Sequence, residues 1–331
     1  KKRLKIYIGA DWMDKRVIDI ANDITGMQIR GAAKIGRTVA EALKIEAESY
    51  KGNDPKDFLK DIKKTSRFLL ATRPTAVSLE NALRYVLVEL GKGYTKGDSV
   101  ASLKQIVSKA SDDFCENSKL ALERIAEIGA KRIRDGDVIF THCNSSMALG
   151  IIKKAHKDGK KIKVYADETR PRLQGLLTAK ELLDEGIDVT LIVDSAARIF
   201  IREADHVIIG ADAVTANGAV VNKVGTATLA AIANEARVKV IVAAETYKFN
   251  PHTYSGELIE IEERDIFEVI SKEDYKKLKG LKVNNPAFDV TPPEFIDLII
   301  TEKGLIAPQA AILVLKETYG LGLFEKEPWE D

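Results

Sequence analysis

The chain has 331 residues, enough for two domains, and its 45% hydrophobic and 31% charged residues are the balance of an ordinary folded protein. With 51 lysines and arginines against 50 aspartates and glutamates, no global field draws nucleic acid or an anionic membrane surface, so an anionic ligand needs a local basic cluster. No apolar stretch nears the roughly 18 residues that span a bilayer, no signal peptide is read, and two cysteines (Cys115 and Cys143) give no disulfide framework, so a cytoplasmic setting is expected.

From about Lys15 to Arg134 the apolar residues recur at helical spacing, as in Val39, Ala42, Leu43 and Ala47 and again in Leu122, Ile125 and Ala126. Asp54-Pro55 and Arg73-Pro74 punctuate this stretch, because proline restricts its predecessor and tends to open or stop a helix. Beyond Asp135-Gly136 the pattern changes. Short apolar runs at 137–142, 161–166, 188–193, 206–210, 239–243 and 297–301 alternate with helical patterns at 173–185, 196–203, 226–237 and 308–319. That alternation predicts a parallel sheet wrapped by helices. One hairpin interrupts it, between Val214 and Asn222, where Asn217-Gly218 predicts a tight primed turn. The charged tail from Phe324 to Asp331 is expected to wrap a surface.

Chemistry concentrates where the strands end. Classical nucleotide loops are missing, and the histidines (His142, His156, His206, His252) are too scattered to suggest a metal, so none is expected. Cys143 ends the first run and Asp212 the fourth; two ionisable groups at the carboxyl edge of a parallel sheet make a candidate acid/base pair. His142 points to the opposite strand face and is expected to be a hydrogen-bonded structural histidine rather than a ligand. Polar loops follow the runs: Asn144 to Met147 leads from the first into a helix with free amides, Asp167 to Gly175 follows the second and Gly210 to Asp212 the fourth, Asn222-Lys223-Val224-Gly225 leads from the hairpin into another helix, and Glu245 to Lys248 ends the fifth. Capping explains any one of these loops; five on one edge point to a ligand. In the helical half, Arg30 precedes Gly31, Ala32 and Ala33, which allow close approach. Arg73 is read at a helix start, against the dipole, where an anion would make sense of it; an inter-domain salt bridge is the other reading of both arginines.

The segments RGAAKIG, TRPTAVSLENAL, THCNSS, ETRPRLQG, DSAARI, GADAVTANGAVVNKVGT and AAETYKF occur in order over nearly the whole chain. Together they resemble the superfamily of aldose-phosphate isomerases and translation-initiation-factor regulatory subunits. NPAFDVTPPEFID and the EPWED ending draw the resemblance towards its archaeal ribose-1,5-bisphosphate isomerase branch. The resemblance implies an α/β protein with a helical N-terminal domain (1–134), a Rossmann-like C-terminal domain with a mostly parallel sheet (135–331), and an active site between them. It implies that Cys143 and Asp212 are catalytic and that Arg30, Gly31, Ala32, Ala33, Arg73, Ser145, Ser146, Met147, Asn222, Lys223 and Lys248 contact phosphate and sugar.

By the same resemblance the substrate is a small sugar bisphosphate, no cofactor or metal is needed, no nucleic acid is bound, and a homo-oligomer (dimer or hexamer) is expected. The place implied is archaeal AMP breakdown feeding RuBisCO. The alternatives are the methylthioribose-1-phosphate isomerase branch, where asparagine at position 144 is common, and a non-catalytic regulatory subunit. Lys248 offers a cation for a second phosphate, and Cys143 with Asp212 favours an enzyme. A helix N-terminus is expected to lower the Cys143 pKa and enclosure to raise that of Asp212, with Cys143 favoured as the group that takes the C2 proton.

Overall fold

The structure, a computed structural model, describes residues 12–255, 258–319 and 327–330. It divides into two compact units: one runs to Lys119 and takes in the described tail residues, and the other begins at Leu120.

The first unit is helical, with α1 (Lys15–Thr25), α2 (Ala32–Ser49), α3 (Pro55–Leu70), α4 (Val77–Thr95) and the first part of α5 (Val100–Ala130). Local chemistry sets the boundaries. Asp54 caps α3 by accepting the Lys56 and Asp57 amides at 2.7 and 3.1 Å, with Pro55 at the first helical position, where no amide is needed. α2 and α4 pack closely where Gly36 faces the Ser78 carbonyl, and the Ser78 hydroxyl donates to the Ala32 carbonyl at 2.8 Å. Arg84 on α4 is 2% exposed and holds Glu80 and Glu327 at 2.5 and 2.9 Å. The described tail residues 327–330 therefore do lie on a surface, with Trp329 buried and its carbonyl accepting from Arg67 at 2.9 Å. The remainder of the expected 324–331 wrap lies outside the described residues.

The second unit carries β1 (Val138–Thr141), α6 (Ser146–Lys157), β2 (Lys163–Asp167), α7 (Gln174–Asp184), β3 (Asp188–Ile192), α8 (Ala197–Phe200) and β4 (His206–Gly210). It continues with β5 (Ala213–Val214), β6 (Val220–Lys223), α9 (Thr226–Ala236), β7 (Lys239–Ala243), α10 (Lys272–Lys277), β8 (Phe288–Thr291), β9 (Leu298–Thr301), β10 (Gly304–Ile306) and α11 (Ala311–Tyr319). Seven strands form one sheet in the order β10-β9-β7-β4-β1-β2-β3, all parallel except β10. Its six parallel strands, renumbered by position in the chain, read 3-2-1-4-5-6, the doubly wound order, so the direction of winding reverses between β1 and β4. Central strands buried on both faces need continuous apolar runs, and Val207, Ile208 and Ile209 of β4 and Val240, Ile241 and Val242 of β7 supply them.

The hairpin forms, but not through a primed turn. β5 and β6 pair antiparallel with Val214 opposite Val220, and the Thr215 amide donates to the Ala219 carbonyl at 2.9 Å. A type I′ turn needs positive φ at both central residues and a type II′ turn at the first, whereas of Asn217 and Gly218 only the second, the glycine, has it, at 85°. Gly218 is required on a second ground: a Cβ there would lie 2.1 Å from the Pro308 carbonyl oxygen. β8 adds to β6, making a second, three-stranded sheet. The stretch 196–203 is likewise broken, into two short 3-10 turns around the single helical turn α8.

Candidate active site

Cys143 follows β1 and Asp212 follows β4, so the two lie at the carboxyl ends of neighbouring strands, at the point where the winding reverses. In open α/β sheets this crevice is the usual ligand position. The charges of Lys223, Asp212 and Asp167 all act on the Cys143 thiol, which places the four groups in one neighbourhood.

The backbone of Cys143 is held in an unfavourable shape. Its φ is 65°, in the left-handed region that costs a non-glycine residue about 1–3 kcal/mol. Two buried threonines fix it there: the Cys143 amide donates to Thr169 Oγ1 at 2.9 Å, and Thr178 Oγ1 donates to the Cys143 carbonyl at 2.6 Å. Thr169, itself at φ 58°, donates through the same hydroxyl to Asp167 at 2.9 Å, and Asp194 takes the Thr169 and Arg170 amides at 2.7 Å each.

Asp167 also holds His142. Nδ1 of the histidine lies 2.7 Å from Asp167 Oδ2, and Nε2 lies 3.0 Å from the Val224 carbonyl oxygen. Both nitrogens face acceptors, an arrangement that only the doubly protonated imidazolium satisfies. Burial pushes the His142 pKa down, but the Asp167 hydrogen bond and charge, with the Val224 carbonyl, push it further up, and the net shift is upward. The buried ion pair joins β1 and β2 to the loop before α9, where Gly225 (φ 105°) makes room: a Cβ would sit 2.9 Å from the imidazole. The expectation of a structural histidine therefore stands, with the addition that it positions the loop carrying Cys143. His142, Asp167 and Asp194 could geometrically share a cation, but protein donors already engage both carboxylates.

The expected low thiol pKa is overturned. Burial pushes the Cys143 thiol up to about 12, outweighing the Lys223 ammonium and the Asn144 amide, while the Asp212 and Asp167 charges add to the rise. The residue as a whole is half-buried, but protein crowds its sulfur. The helix does not rescue the thiolate because α6 starts three residues later, with Ser145 as its cap accepting the Ala148 amide at 3.4 Å. Ser145 Oγ also fills the space beside Gly210, where a Cβ would lie 2.1 Å from it. Ser146 is exposed and Met147 buried.

Asn222 is buried and donates to Thr226 Oγ1 at 3.0 Å. Lys223 donates to the Ala287 carbonyl at 2.9 Å and lies 4.8 Å from the Phe288 ring centre. The loop into α9 is not a set of free amides: Asp289 on β8 accepts from Gly225 at 2.7 Å and from Ala227 at 3.1 Å. Burial pushes the Asp289 pKa up, against the lowering effect of those amides. Lys248 ends a short 3-10 turn after β7, beside β5, where the Asn250 amide donates to the Val214 carbonyl at 2.9 Å. It is 4% exposed, and its ammonium has no hydrogen bond or ion pair among the described residues. A buried cation left alone is costly.

The other expected contacts lie in the first unit. Gly31 (φ 84°) caps α2, Ala32 and Ala33 open it, and no acidic residue sits in its first turn. Arg30 Nε donates to the Met27 carbonyl at 2.5 Å. Arg73 does not start a helix: α4 begins at Val77, and Arg73 opens a turn closed by its own carbonyl and the Ala76 amide at 3.0 Å. Asp167 and Thr169 are expected only as part of a polar loop after the second run, and neither Thr178 nor Asp289 is singled out by the sequence, although the NPAFDV segment contains Asp289.

Fold and site together define a Rossmann-like protein with a cysteine and an aspartate at the switch of its sheet and a buried lysine after its β7 strand. The chain belongs to the initiation factor 2 subunit family, whose model matches residues 28–308. It is 54% identical to the ribose 1,5-bisphosphate isomerase of Pyrococcus furiosus over 318 residues, 96% of this chain and 98% of that protein. Among solved structures it resembles a Pyrococcus horikoshii OT3 translation initiation factor eIF-2B (TM-score 0.77, 33% identity, 91% of this chain and 100% of that one). It also resembles the 5-methylthioribose 1-phosphate isomerase of the same organism (TM-score 0.76, 34% identity, 91% and 88%).

The His142–Asp167 pair sets a pH dependence. A raised folded pKa stabilises fully below the unfolded value, about 6.5, and the stabilisation is lost as pH rises through the folded value. Denaturant unfolding should show the parent losing stability over that window relative to His142→Gln. Asp167→Ala, which strands the imidazolium, should cost about 3–5 kcal/mol in the same measurement.

Proposed function

We propose that this protein is an aldose–ketose isomerase that converts ribose 1,5-bisphosphate to ribulose 1,5-bisphosphate, in the cytoplasm and in the breakdown of AMP towards RuBisCO. The observation that carries the choice of substrate is Lys248, a buried ammonium with no partner among the described residues. A thioether at C5 would leave it uncompensated, whereas a phosphate, carrying about −1.5 to −2 charges near neutral pH, satisfies it. The 54% identity to the Pyrococcus furiosus ribose 1,5-bisphosphate isomerase, against 34% to 39% to methylthioribose-1-phosphate isomerases, supports the same reading.

A thiol with a pKa near 12 enters the cycle as an acid. Cys143 donates its proton to the ring oxygen as the C1–O bond of the furanose breaks, leaving C1 electron-poor and the C2–H bond acidic. The thiolate so formed, steadied by Lys223, removes the C2 proton to give an enediol phosphate. Asp212 then takes the C2 hydroxyl proton while Cys143 returns its proton to C1, and a proton passes from Asp212 to Cys143 through solvent to reset the pair. Such positioned transfers contribute about 10²–10⁴-fold each. Asn222 and the Ser145–Met147 turn would orient the sugar, and Lys248, Lys223, Arg73 and the Arg30–Ala33 segment would hold the phosphates.

We also propose a homo-oligomer, its interface on the β3 side of the sheet, where Leu177, Leu183, Leu191, Val193 and Ile199 are all exposed by 41% or more. Clustered apolar exposure of this kind marks association surfaces.

Phosphorus NMR with ribose 1,5-bisphosphate should show ribulose 1,5-bisphosphate formed by the parent, with losses of at least about 100-fold for Cys143→Ser and Asp212→Asn. Lys248→Met should chiefly raise KM. Turnover of methylthioribose 1-phosphate instead would move the assignment to that branch, and silence on both would favour a regulatory role. Sedimentation should find more than one chain per particle, and Leu177→Glu with Ile199→Glu should shift it towards the monomer; an unshifted particle would place the interface elsewhere.

A further inference from the structure

At the amino edge of the seven-stranded sheet, the opposite end of the strands from Cys143 and Asp212, lies a cavity of about 640 Å³ within the second unit. Five cations line it: Lys131, Arg132 and Arg134 after α5, Arg237 after α9 and Lys239 at the start of β7. Among the described residues none of the five side chains has a hydrogen bond or an ion pair. This is unusual in a chain whose charges otherwise balance to +1 and where lysine–carboxylate pairs are frequent.

Three carboxylates share the cavity and offset part of its charge, but with five cations against three anions the lining stays net positive, and each carboxylate accepts a backbone amide rather than pairing with one of these cations. Asp137 accepts the Arg134 amide at 2.7 Å, Asp205 the Val138 amide and Asp297 the Val240 amide, both at 2.8 Å. The remaining titratable group, His206, has Nε2 3.3 Å from Asp137 and a buried Nδ1 with no partner. Basic residues after a helix often serve to satisfy its last carbonyls. Here Lys160 donates to the last carbonyl of α5, Ala130, at 2.6 Å and to the Ile133 carbonyl beyond it at 2.7 Å, and none of Lys131, Arg132 and Arg134 has a side-chain bond to these carbonyls. Like charges gathered within a Debye length (about 8–10 Å) repel one another and cost stability unless something offsets them.

We propose that this cavity binds a small polyanion carrying two or more phosphate groups, at a site separate from the catalytic one. Its volume falls within the range of about 300–1,000 Å³ that small ligands occupy. Ile241 and Leu298 give its wall an apolar patch for the carbon part of such a ligand. Arginines provide paired donors matched to phosphate oxygens, which exposed lysines alone would not.

The test is calorimetric titration of the full chain with inorganic pyrophosphate, comparing the parent, Arg237→Glu/Lys239→Glu, Arg132→Glu and Lys248→Met. Arg132, Arg237 and Lys239 stand outside the catalytic machinery, and matching unfolding temperatures check that each variant folds. The expected result is pyrophosphate binding by the parent that weakens with added salt and survives in Lys248→Met. Both charge reversals should weaken it at least tenfold while turnover of ribose 1,5-bisphosphate stays at the parental rate. Binding unchanged by the reversals, binding lost only in Lys248→Met, or no binding at all overturns the proposal. Because turnover is read separately, failure here and failure of the isomerase reading are distinguishable.

Discussion

His142 has an acceptor at each ring nitrogen, Asp167 on one side and the Val224 carbonyl on the other, and the carboxyl edge of the sheet is arranged around that demand. A buried imidazolium needs a carboxylate; the carboxylate, once there, accepts the Thr169 hydroxyl; and that hydroxyl accepts the Cys143 amide. The loop carrying Cys143, in a left-handed conformation, is thus tied to β2, the strand that pairs with β1, by a line of bonds of which those to the Asp167 carboxylate are charge-assisted, the stronger kind. Removing any member leaves a buried polar group without its partner, so the chain of contacts stands or falls together.

That rigidity has a chemical consequence. Crowding by protein that fixes the loop also strips solvent from the sulfur, and the thiol becomes a weak acid rather than a ready nucleophile. For ring opening of a sugar phosphate this is the useful state, since the first requirement is a proton for the departing ring oxygen. Lys223, anchored on the Ala287 carbonyl and against Phe288, pulls the other way, its charge favouring the thiolate.

Much of this was legible in the sequence. Apolar runs ending on Cys143 and Asp212 became neighbouring strands, and the polar loops that follow became one edge, because burial on both faces writes itself as an uninterrupted run. Other features were not legible, for reasons of distance. Thr169 and Thr178 reach Cys143 from 26 and 35 residues away, and Asp289 reaches Gly225 from 64, none of which a local pattern records. The thiol pKa was misread because a nearby helix start is visible in a sequence while desolvation is not. Arg73 was misplaced because a local turn, closed by the Ala76 amide on the Arg73 carbonyl, precedes α4, and the Asn217-Gly218 pair because only its glycine takes a positive φ, against the Pro308 carbonyl.

The most direct test of this account is the pH dependence of iodoacetamide alkylation at Cys143, followed by mass spectrometry in a Cys115→Ser background. A thiol held up by burial predicts slow modification near neutrality and a rate that keeps rising through the alkaline range without a plateau. A rate that levels off below about 8.5, the ordinary thiol value, would mean a helix-activated thiolate and would contradict the acid role given to Cys143.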